Sequence, residues 1–296
     1  MPRQSKSRSA SIEGAPRDKV LDDLARAAIA EHTLSAIEAG RYVNTRNQIV
    51  PLDDAIAAAK RGTVLYDLER EALASTAGAP PASAPTKVTG ETTLEALARL
   101  AGEAGGHLAC LNFASGKHPG GSFLRGAQAQ EEALARSSAL YPCLLTQPAH
   151  YERNRAHASE IYLDLAIFSP HVPFFRDDGG GWLDQPVLAS VITCAAPNAS
   201  ALRQQHQFDA SAVEHALRRR AAFVLAIAAH HGVRRLVLGA WGAGVFGNDP
   251  AVVASAFHEP LRGDLAGAFD EVVFAIPPGP NRSAFDAAFA HGAAAT

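Results

Sequence analysis

Apolar strand-like runs alternate with amphipathic helical stretches along most of this 296-residue chain after residue 91. The runs are apolar at nearly every position, which is typical of strands buried on both faces. We therefore predict an α/β structure whose mostly central sheet is covered on both faces by helices. The predicted strands are His107–Ala114, Ile161–Phe168, Val187–Cys194, Leu236–Ala240 and Val272–Ile276. The predicted helices are one capped by Thr92 or Thr93 that ends at Ala104, Ala127–Leu140, Ser211–His231 and one that opens at Asp249–Pro250.

The first 90 residues have a different pattern. Residues 1–18 are polar and show no hydrophobic period, so we expect a disordered tail there. Residues 19–90 are predicted to form a helical extension and a linker, and residues 91–296 form the main domain. The extension contains a helix over Val20–Ala39, a short helix near Asp53–Arg61, a possible strand at Val64–Leu68 and a proline-rich linker at Ala74–Thr86.

Composition excludes several classes of protein. The formal net charge is -3, with 27 basic and 30 acidic residues, so the chain lacks the cationic excess of proteins that hold long nucleic acids through phosphates. No apolar run reaches the roughly 18 residues of a membrane helix, and the N-terminus lacks the apolar core of a secretion signal. We expect a cytoplasmic monomer with reduced cysteines and with no membrane or direct nucleic-acid partner.

Clusters of histidine and arginine have structural explanations. The 12 histidines include the adjacent His230 and His231, but no HExxH pattern occurs, and we expect neither a metal nor another cofactor. The run Arg218-Arg219-Arg220 is predicted to lie on the solvated side of a helix, and attraction of an anionic polymer is the alternative.

Two glycine-rich loops follow predicted strands. One lies within residues 112–132 and the other spans Gly239–Asp249. Glycine lets main-chain N–H groups converge on an anion, and both loops precede helices whose amino ends favour negative charge. A single such loop is also ordinary turn chemistry, but two together predict a diphosphate site. Neither loop matches a Walker A or a dinucleotide-binding pattern.

The tripeptide Gln130-Glu131-Glu132 lies near the start of a helix, directly behind the first loop. Adjacent helical residues diverge by roughly 100°, so the two carboxylates cannot face each other across one bond. Their roles should therefore differ: one can hold ribose hydroxyls while the other acts as proton donor and then as base. The alternative is that glutamate in a first helical turn only complements the helix dipole.

These motifs together resemble the bacterial-type poly(ADP-ribose) glycohydrolase family, whose signature is three glycines, six to eight residues and then Gln-Glu-Glu. Here Gly120-Gly121-Ser122 is followed by seven residues and then Gln130-Glu131-Glu132, with serine in place of the third glycine. Further matches are Ala30–Leu34, Thr193–Asn198 and Val245–Pro250. The resemblance implies a three-layer α/β/α macrodomain-like mixed sheet with an N-terminal helical extension, and a catalytic domain over residues 91–296.

The resemblance also implies residue roles. Glu132 is the expected general acid/base and Glu131 the ribose-binding carboxylate, so that Glu132 protonates the departing 2′-oxygen and then activates water. Phe246 is expected to stack beside the ribose or adenine, with a core position as the alternative. Thr193, Pro197 and Asn198 are expected to flank the adenine. The expected substrate-binding residues are Asn112, Ser115, Gly120, Gly121, Ser122, Gln130, Thr193, Pro197, Asn198, Gly242, Ala243, Gly244, Val245 and Phe246.

The expected activity is hydrolysis of ribose–ribose O-glycosidic bonds in poly(ADP-ribose), which releases ADP-ribose. Two alternatives stay open: a hydrolase of mono-ADP-ribosylated protein, and a macrodomain that binds ADP-ribose without catalysis. The Gln-Glu-Glu tripeptide favours a hydrolase, because a binding module has no use for a proton donor. The expected partner is poly(ADP-ribose) or an ADP-ribosylated protein.

Overall fold

The structure is a computed structural model that describes residues 17–70 and 85–290. Most of the predicted tail and most of the proline-rich linker lie outside these residues. The strands are β1 Arg41–Val43, β2 Ile49–Pro51, β3 Val64–Asp67, β4 Thr86–Thr89, β5 Leu108–Phe113, β6 Leu165–Arg176, β7 Trp182–Cys194, β8 Arg235–Leu238 and β9 Glu271–Ala275. The helices are α1 Arg17–Ala39, α2 Asp53–Gly62, α3 Thr93–Gly102, α4 Gln130–Ser137, α5 Leu140–Leu144, α6 Pro148–Ala156, α7 Ala199–Gln204, α8 Ala210–His230, α9 Pro250–Arg262 and α10 Arg282–Phe289, and a 3-10 turn spans Phe123–Arg125.

Seven strands form one mixed sheet in the order β3-β6-β7-β5-β8-β9-β4. The five strands from β7 to β4 are mutually parallel, whereas β6 runs antiparallel to both β3 and β7. The remaining two strands, β1 and β2, form a separate hairpin. The α/β fold predicted from the apolar runs is therefore confirmed, with a mainly parallel central sheet.

Helices cover both faces of this sheet. One face carries α8, α9 and α10, whose apolar side chains form the largest buried cluster together with the inner residues of β5, β8 and β9. The opposite face carries α3, α4, α5 and α6, which enclose a second cluster. The three cysteines are free thiols buried within these layers. No helix in the described ranges is both long and apolar enough to cross a bilayer.

The helix predicted over Ala127–Leu140 is too long at both ends. Helix α4 starts at Gln130, because Gly126 adopts the left-handed region with φ +79 and Ala129 is extended. It ends at Ser137, and Ser138 is extended before α5 begins. The late start fixes Gln130 as the first residue of the helix, which matters for the site described below.

Residues 19–90 supply two strands of the main sheet as well as helices. Strand β3 forms one edge against β6, and β4 forms the opposite edge against β9. The sequence pattern indicated β3 but not β4, which has a single strongly apolar residue, Val88. The division of the chain at residue 90 into an extension and a main domain stays a prediction.

The prediction that the arginine run lies in solvent is wrong for Arg220. Its side chain is only 1% exposed and forms an ion pair with Asp164 at 2.6 Å. Its two other nitrogens donate to the carbonyls of Tyr162 and Ala195. Successive residues of α8 point about 100° apart, so a run of three cannot share one face. Arg218 and Arg219 keep partly exposed positions.

Candidate active site

The two glycine-rich loops meet at one edge of the sheet because β5 and β8 are adjacent parallel strands. The first glycine loop, residues 114–122, leaves the carboxyl end of β5, and the second, residues 239–249, leaves that of β8. A cleft of about 360 Å³ lies between them. Its walls are Phe113, Ala114, Ser115, Ala129, Gln130, Glu131, Glu132, Ala196, Ala240, Trp241, Gly242, Gly244, Val245, Phe246 and Asn281.

Gln130 fastens the start of α4 to the end of β5. Its Oε1 accepts a hydrogen bond from Phe113 N at 2.9 Å, and its Nε2 donates to Leu111 O at 2.8 Å and to Thr93 Oγ1 at 3.2 Å. The amide thus bridges a donor and an acceptor of one strand edge, which a carboxylate could not do because it only accepts. This anchoring places the next two residues, both glutamates, in the wall of the cleft.

Glu131 is buried at the base of the cleft and is only 3% exposed. Ser115 N donates to its Oε2 at 2.6 Å, and Asn112 Nδ2 lies 3.3 Å from its Oε1. Burial, reinforced by the charge of Glu132, raises the pKa of Glu131 to about 8, although the Ser115 and Asn112 hydrogen bonds oppose this shift. The buried carboxyl therefore keeps its proton to a higher pH than an exposed glutamate does.

This raised pKa predicts a specific dependence of stability on pH. The folded protein binds the Glu131 proton more tightly than the unfolded chain, so the stabilisation is complete below pH 4.5 and is lost as the pH rises through about 8. Between these values the free energy of unfolding should fall by up to about 1.4 kcal/mol per pH unit from this group. Glu131→Gln, a neutral analogue of the protonated acid, should abolish that fall.

Urea unfolding at pH 5.5, 7 and 8.5 measures the effect. The exposed Glu38→Gln on α1 is the matched control and should follow the wild type. Parallel pH curves for the wild type and Glu131→Gln would show that the buried carboxyl does not hold its proton at neutral pH.

Glu132 is partly exposed and faces the cleft. Its Oε1 accepts a hydrogen bond from Ser122 N at 3.0 Å, so the first glycine loop holds this carboxylate directly. The two glutamates differ in their surroundings rather than in direction: one carboxyl is enclosed by donors at the end of β5, the other is fixed at the open side of the cleft, and both approach Gly121.

Gly121 makes room for both carboxyl groups. It adopts the left-handed region with φ +60, and a Cβ built on it would lie 2.3 Å from Glu132 Oε1 and 3.2 Å from Glu131 Oε2. Gly121→Ala should therefore push the Glu132 carboxylate out of place and add backbone strain of about 1–2 kcal/mol. We expect turnover of the substrate proposed below to fall by about 10²-fold, with a modest decrease in melting temperature.

Gly102→Ala is the matched control for that variant. Gly102 ends α3, and an added Cβ would meet no atom of the described residues within 4 Å. Its activity should match that of the wild type, and its melting temperature should not fall. Wild-type turnover by a folded Gly121→Ala protein would contradict the role given to the close approach at Gly121.

Asn112 and Ser115 occupy the end of β5 in different ways. Asn112 is fully buried, and its Nδ2 also lies 3.2 Å from Thr193 Oγ1, while its Oδ1 has no hydrogen-bond partner among the described residues. Ser115 lines the cleft, and its Oγ accepts hydrogen bonds from Lys117 N and His118 N, which shape the turn of the loop. Asn112 thus orients Glu131 from below, and Ser115 holds it from the loop.

The second glycine loop is pinned at its base and open at its tip. Asn248 Nδ2 donates to Gly242 O at 2.9 Å and to Pro197 O at 2.8 Å, which closes the loop on itself. Trp241 is buried, and its Nε1 donates to Cys194 O at 2.9 Å. Val245, in contrast, is 82% exposed. Sequence reasoning assigned no role to Asn248 or Trp241, whose anchoring bonds depend on a distant strand end.

Phe246 lines the cleft and also packs against the largest apolar cluster, and its stacking on ribose or adenine stays a prediction. The three residues expected to flank the adenine are placed differently: Thr193 and Pro197 are buried, and Asn198 caps α7 by accepting from Ala201 N at 3.0 Å. None of the three is among the residues that line the cleft.

A second chamber of about 420 Å³ adjoins the cleft, with Phe113, Ala129, Gln130, Ala240 and Asn281 in both walls. Its other walls include Thr92 and Thr93 after β4, Ile276–Pro280 after β9, and Asp178. The Thr92 hydroxyl donates a hydrogen bond to Asp178 Oδ2 at 2.5 Å and so connects the wall that follows β4 to the wall that contains Asp178. Sequence reasoning missed this chamber because it did not identify β4, whose carboxyl end lies at the same sheet edge.

The described residues were expected to hold no metal site. Within residues 17–70 and 85–290, no group of three or more His, Cys, Asp or Glu side chains could hold a metal ion.

Residues 30–177 match the family model of the microbial-type poly(ADP-ribose) glycohydrolase (PARG) catalytic domain. A PARG structure from Thermomonospora curvata is 47% identical, with a TM-score of 0.84 over 91% of this chain and 99% of that chain. Another structure from that organism, bound to the inhibitor ADP-HPD, is 48% identical with a TM-score of 0.82 over 89% of this chain and 99% of that chain. PARG from Deinococcus radiodurans in complex with ADP-ribose is 45% identical, with a TM-score of 0.71 over 79% of this chain and 96% of that chain. No curated protein matches the chain. Its fold and its sequence together place this chain in the microbial-type poly(ADP-ribose) glycohydrolase family.

Proposed function

We propose that the protein hydrolyses ribose–ribose O-glycosidic bonds of poly(ADP-ribose) and releases ADP-ribose. The observation that carries this proposal is the pair Glu131 and Glu132, one buried and one open to the cleft, both held by main-chain donors of the first glycine loop. Solved relatives at 45–48% identity are poly(ADP-ribose) glycohydrolases bound to ADP-ribose or to the inhibitor ADP-HPD.

The shape of the site fits an ADP-ribose unit. At the tip of the second glycine loop, Gly242 and Gly244 line the cleft and carry no side chain that would keep a diphosphate away from the main chain. The second chamber offers largely apolar walls for the nucleoside. The terminal ribose then lies against the first glycine loop and the two glutamates, with Gly120 and Gly121 close to it. Thr193, Pro197 and Asn198 affect ligand binding indirectly. Thr193 contacts Asn112, Pro197 O accepts a hydrogen bond from Asn248, and Asn198 N donates to Glu160 O.

The proposed reaction uses the two carboxyl groups differently. Glu132 donates a proton to the 2′-oxygen that leaves with the preceding unit, while the C1–O bond of the bound ribose breaks and an oxocarbenium-like sugar forms. The ionised Glu132 then takes a proton from water as the oxygen of that water attacks the same carbon, which regenerates the acid.

Incubation of purified poly(ADP-ribose) with the full chain, followed by chromatography, tests the proposal. Free ADP-ribose should accumulate. A parallel incubation with mono-ADP-ribosylated protein distinguishes the second kind of hydrolase, and calorimetry with ADP-ribose detects a module that only binds. Tight binding of ADP-ribose without release from the polymer would contradict the proposed activity. The cytoplasmic location and the monomeric state stay predictions from the sequence.

A further inference from the structure

A connecting segment, residues 157–164 between α6 and β6, lies against both glycine loops. The segment contributes no residue to the walls of the cleft or of the second chamber. The reaction proposed above therefore assigns it no role, although two of its side chains, Glu160 and Tyr162, contact the loops that form the site.

The first glycine loop is held to this segment by charge and by packing. Lys117 Nζ forms an ion pair with Glu160 Oε1 at 2.5 Å, and the Glu160 side chain is only 14% exposed. Gly116 lies on the ring of Tyr162, so closely that an added Cβ would be 3.1 Å from the ring atoms. Arg155, at the end of α6, donates to Lys117 O at 2.6 Å. The loop is thus held at two adjacent residues, Gly116 and Lys117.

The second glycine loop contacts the other side of the same segment. The ring of Phe246 lies 6.3 Å from the ring of Tyr162, centroid to centroid. Asn198 N donates to Glu160 O at 2.9 Å, and two residues further Ser200 N donates to Phe246 O at 2.9 Å. The start of α7 therefore connects the main chain of Glu160 to that of Phe246 in the second glycine loop.

The side chains of Glu160 and Tyr162 also interact with each other. Burial opposes ionisation of Glu160, but hydrogen bonding from Lys117 and from the Tyr162 hydroxyl outweighs it and lowers the pKa of Glu160. The hydroxyl of Tyr162 faces the Asn198 side chain as well. The Glu160 carboxylate thus interacts with Lys117 of the first glycine loop, and the Tyr162 hydroxyl interacts with Glu160 and with Asn198 at the start of α7.

The backbone of Tyr162 is held in an unfavourable conformation. Its φ is +63, in the left-handed region that bulky residues rarely adopt. The conformation is fixed by Arg220 Nη2, which donates to Tyr162 O at 2.8 Å, and by the turn in which Tyr162 N donates to Ser159 O. Such strain persists only where the surroundings determine it, and it clusters at functional sites.

We propose that Tyr162 and Glu160 are positioning residues that couple the two glycine loops, so that binding of the ADP-ribose diphosphate depends on a pair of side chains outside the cleft. This inference rests on the proposed function, because ADP-ribose is the ligand that would bridge the loops. Removing either side chain should loosen the second loop relative to the first, while Glu131 and Glu132 keep their own contacts with Asn112 and Ser122.

Tyr162→Phe keeps the ring against Gly116 and Phe246 and removes only the hydroxyl, and Glu160→Gln removes the charge that pairs with Lys117. Each variant should raise the Kd for ADP-ribose, measured by calorimetry, by about tenfold. KM for the polymer should rise similarly while kcat stays within about twofold of the wild type. The Kd of the double variant should also be about tenfold higher than that of the wild type, and not the product of the two single effects, because the two groups act as one unit.

Tyr42→Phe is the matched control. Tyr42 is buried beside Phe175 and Trp182, away from the cleft, and its hydroxyl has no hydrogen-bond partner in the described part of the chain. Its Kd should equal that of the wild type.

Three results decide the inference. A Kd within twofold of the wild type for a folded Tyr162→Phe protein overturns it, and so does a double variant weakened by the product of the two single effects. If Tyr162→Phe does not fold, the Glu160→Gln Kd decides alone. A wild-type protein that binds no ADP-ribose contradicts the proposed function instead, which separates the two failures.

Discussion

Replacing Glu132 with Gln should slow the release of ADP-ribose from poly(ADP-ribose) by about 10³-fold. The amide cannot donate an acidic proton to the leaving 2′-oxygen and cannot take a proton from water afterwards. It can still accept the hydrogen bond that Ser122 N makes to Glu132 Oε1, so the first glycine loop should keep its shape. The Kd for ADP-ribose should therefore change little, and kcat should carry the loss.

Glu131→Gln provides the comparison within the same tripeptide. Glu131 is enclosed by Asn112 and Ser115 and has the raised pKa, so its replacement tests whether the buried carboxyl is the proton donor. We expect a smaller loss of kcat than for Glu132→Gln and a weaker affinity for ADP-ribose. A Glu132→Gln protein that releases ADP-ribose at the wild-type rate would show that the open carboxyl is not the acid, and a larger loss in Glu131→Gln would transfer that role.

Arg220→Met should destabilise the fold by about 3 kcal/mol or more, because it removes one partner of a buried ion pair. The guanidinium is 1% exposed and donates to Asp164 and to the buried carbonyls of Tyr162 and Ala195. Methionine fills much of the volume but cannot donate, so these acceptors would lose their donor. Urea unfolding at neutral pH measures the change.

Arg218→Met on the same helix is the control. Arg218 pairs with Glu214 at 2.8 Å, but its side chain is 34% exposed and the pair lies at the surface. Its replacement should change the free energy of unfolding by less than about 1 kcal/mol. Equal losses in the two variants would mean that burial of Arg220 does not determine its contribution.

Much of the fold could be predicted from local pattern. Continuous apolar runs identified β5, β8 and β9 and parts of β6 and β7, because strands buried on both faces need apolar residues at every position. The loops were identifiable because glycines followed two of these runs. Strand β4 was not identifiable: Thr86–Thr89 is a short strand at a sheet edge with one strongly apolar residue, so no apolar run marks it.

Placement within the site depended on contacts between distant parts of the chain. Strands β4 and β9 are separated by more than 180 residues in sequence, yet their parallel pairing brings Thr92 and the proline-rich turn at Pro277 to one chamber. Thr193 lies near the carboxyl end of β7, as Asn112 lies near that of β5. Thr193 does not line the cleft, however, and its hydroxyl contacts the Asn112 side chain instead. Strand-end position predicted that these residues would be near the site, but not which of them would reach the ligand.

The sequence by itself determined the chemistry available here, because the Gln-Glu-Glu tripeptide, its distance from the glycines and its place at a helix start are all local properties of the chain. Only the tertiary structure decided how the two glutamates differ. Glu131 is enclosed by side chains and main-chain groups from β5 and its loop, which raises its pKa, whereas Glu132 faces the open cleft. Burial depends on neighbours that are remote in sequence, and hydrophobic periodicity, which is local, does not contain that information.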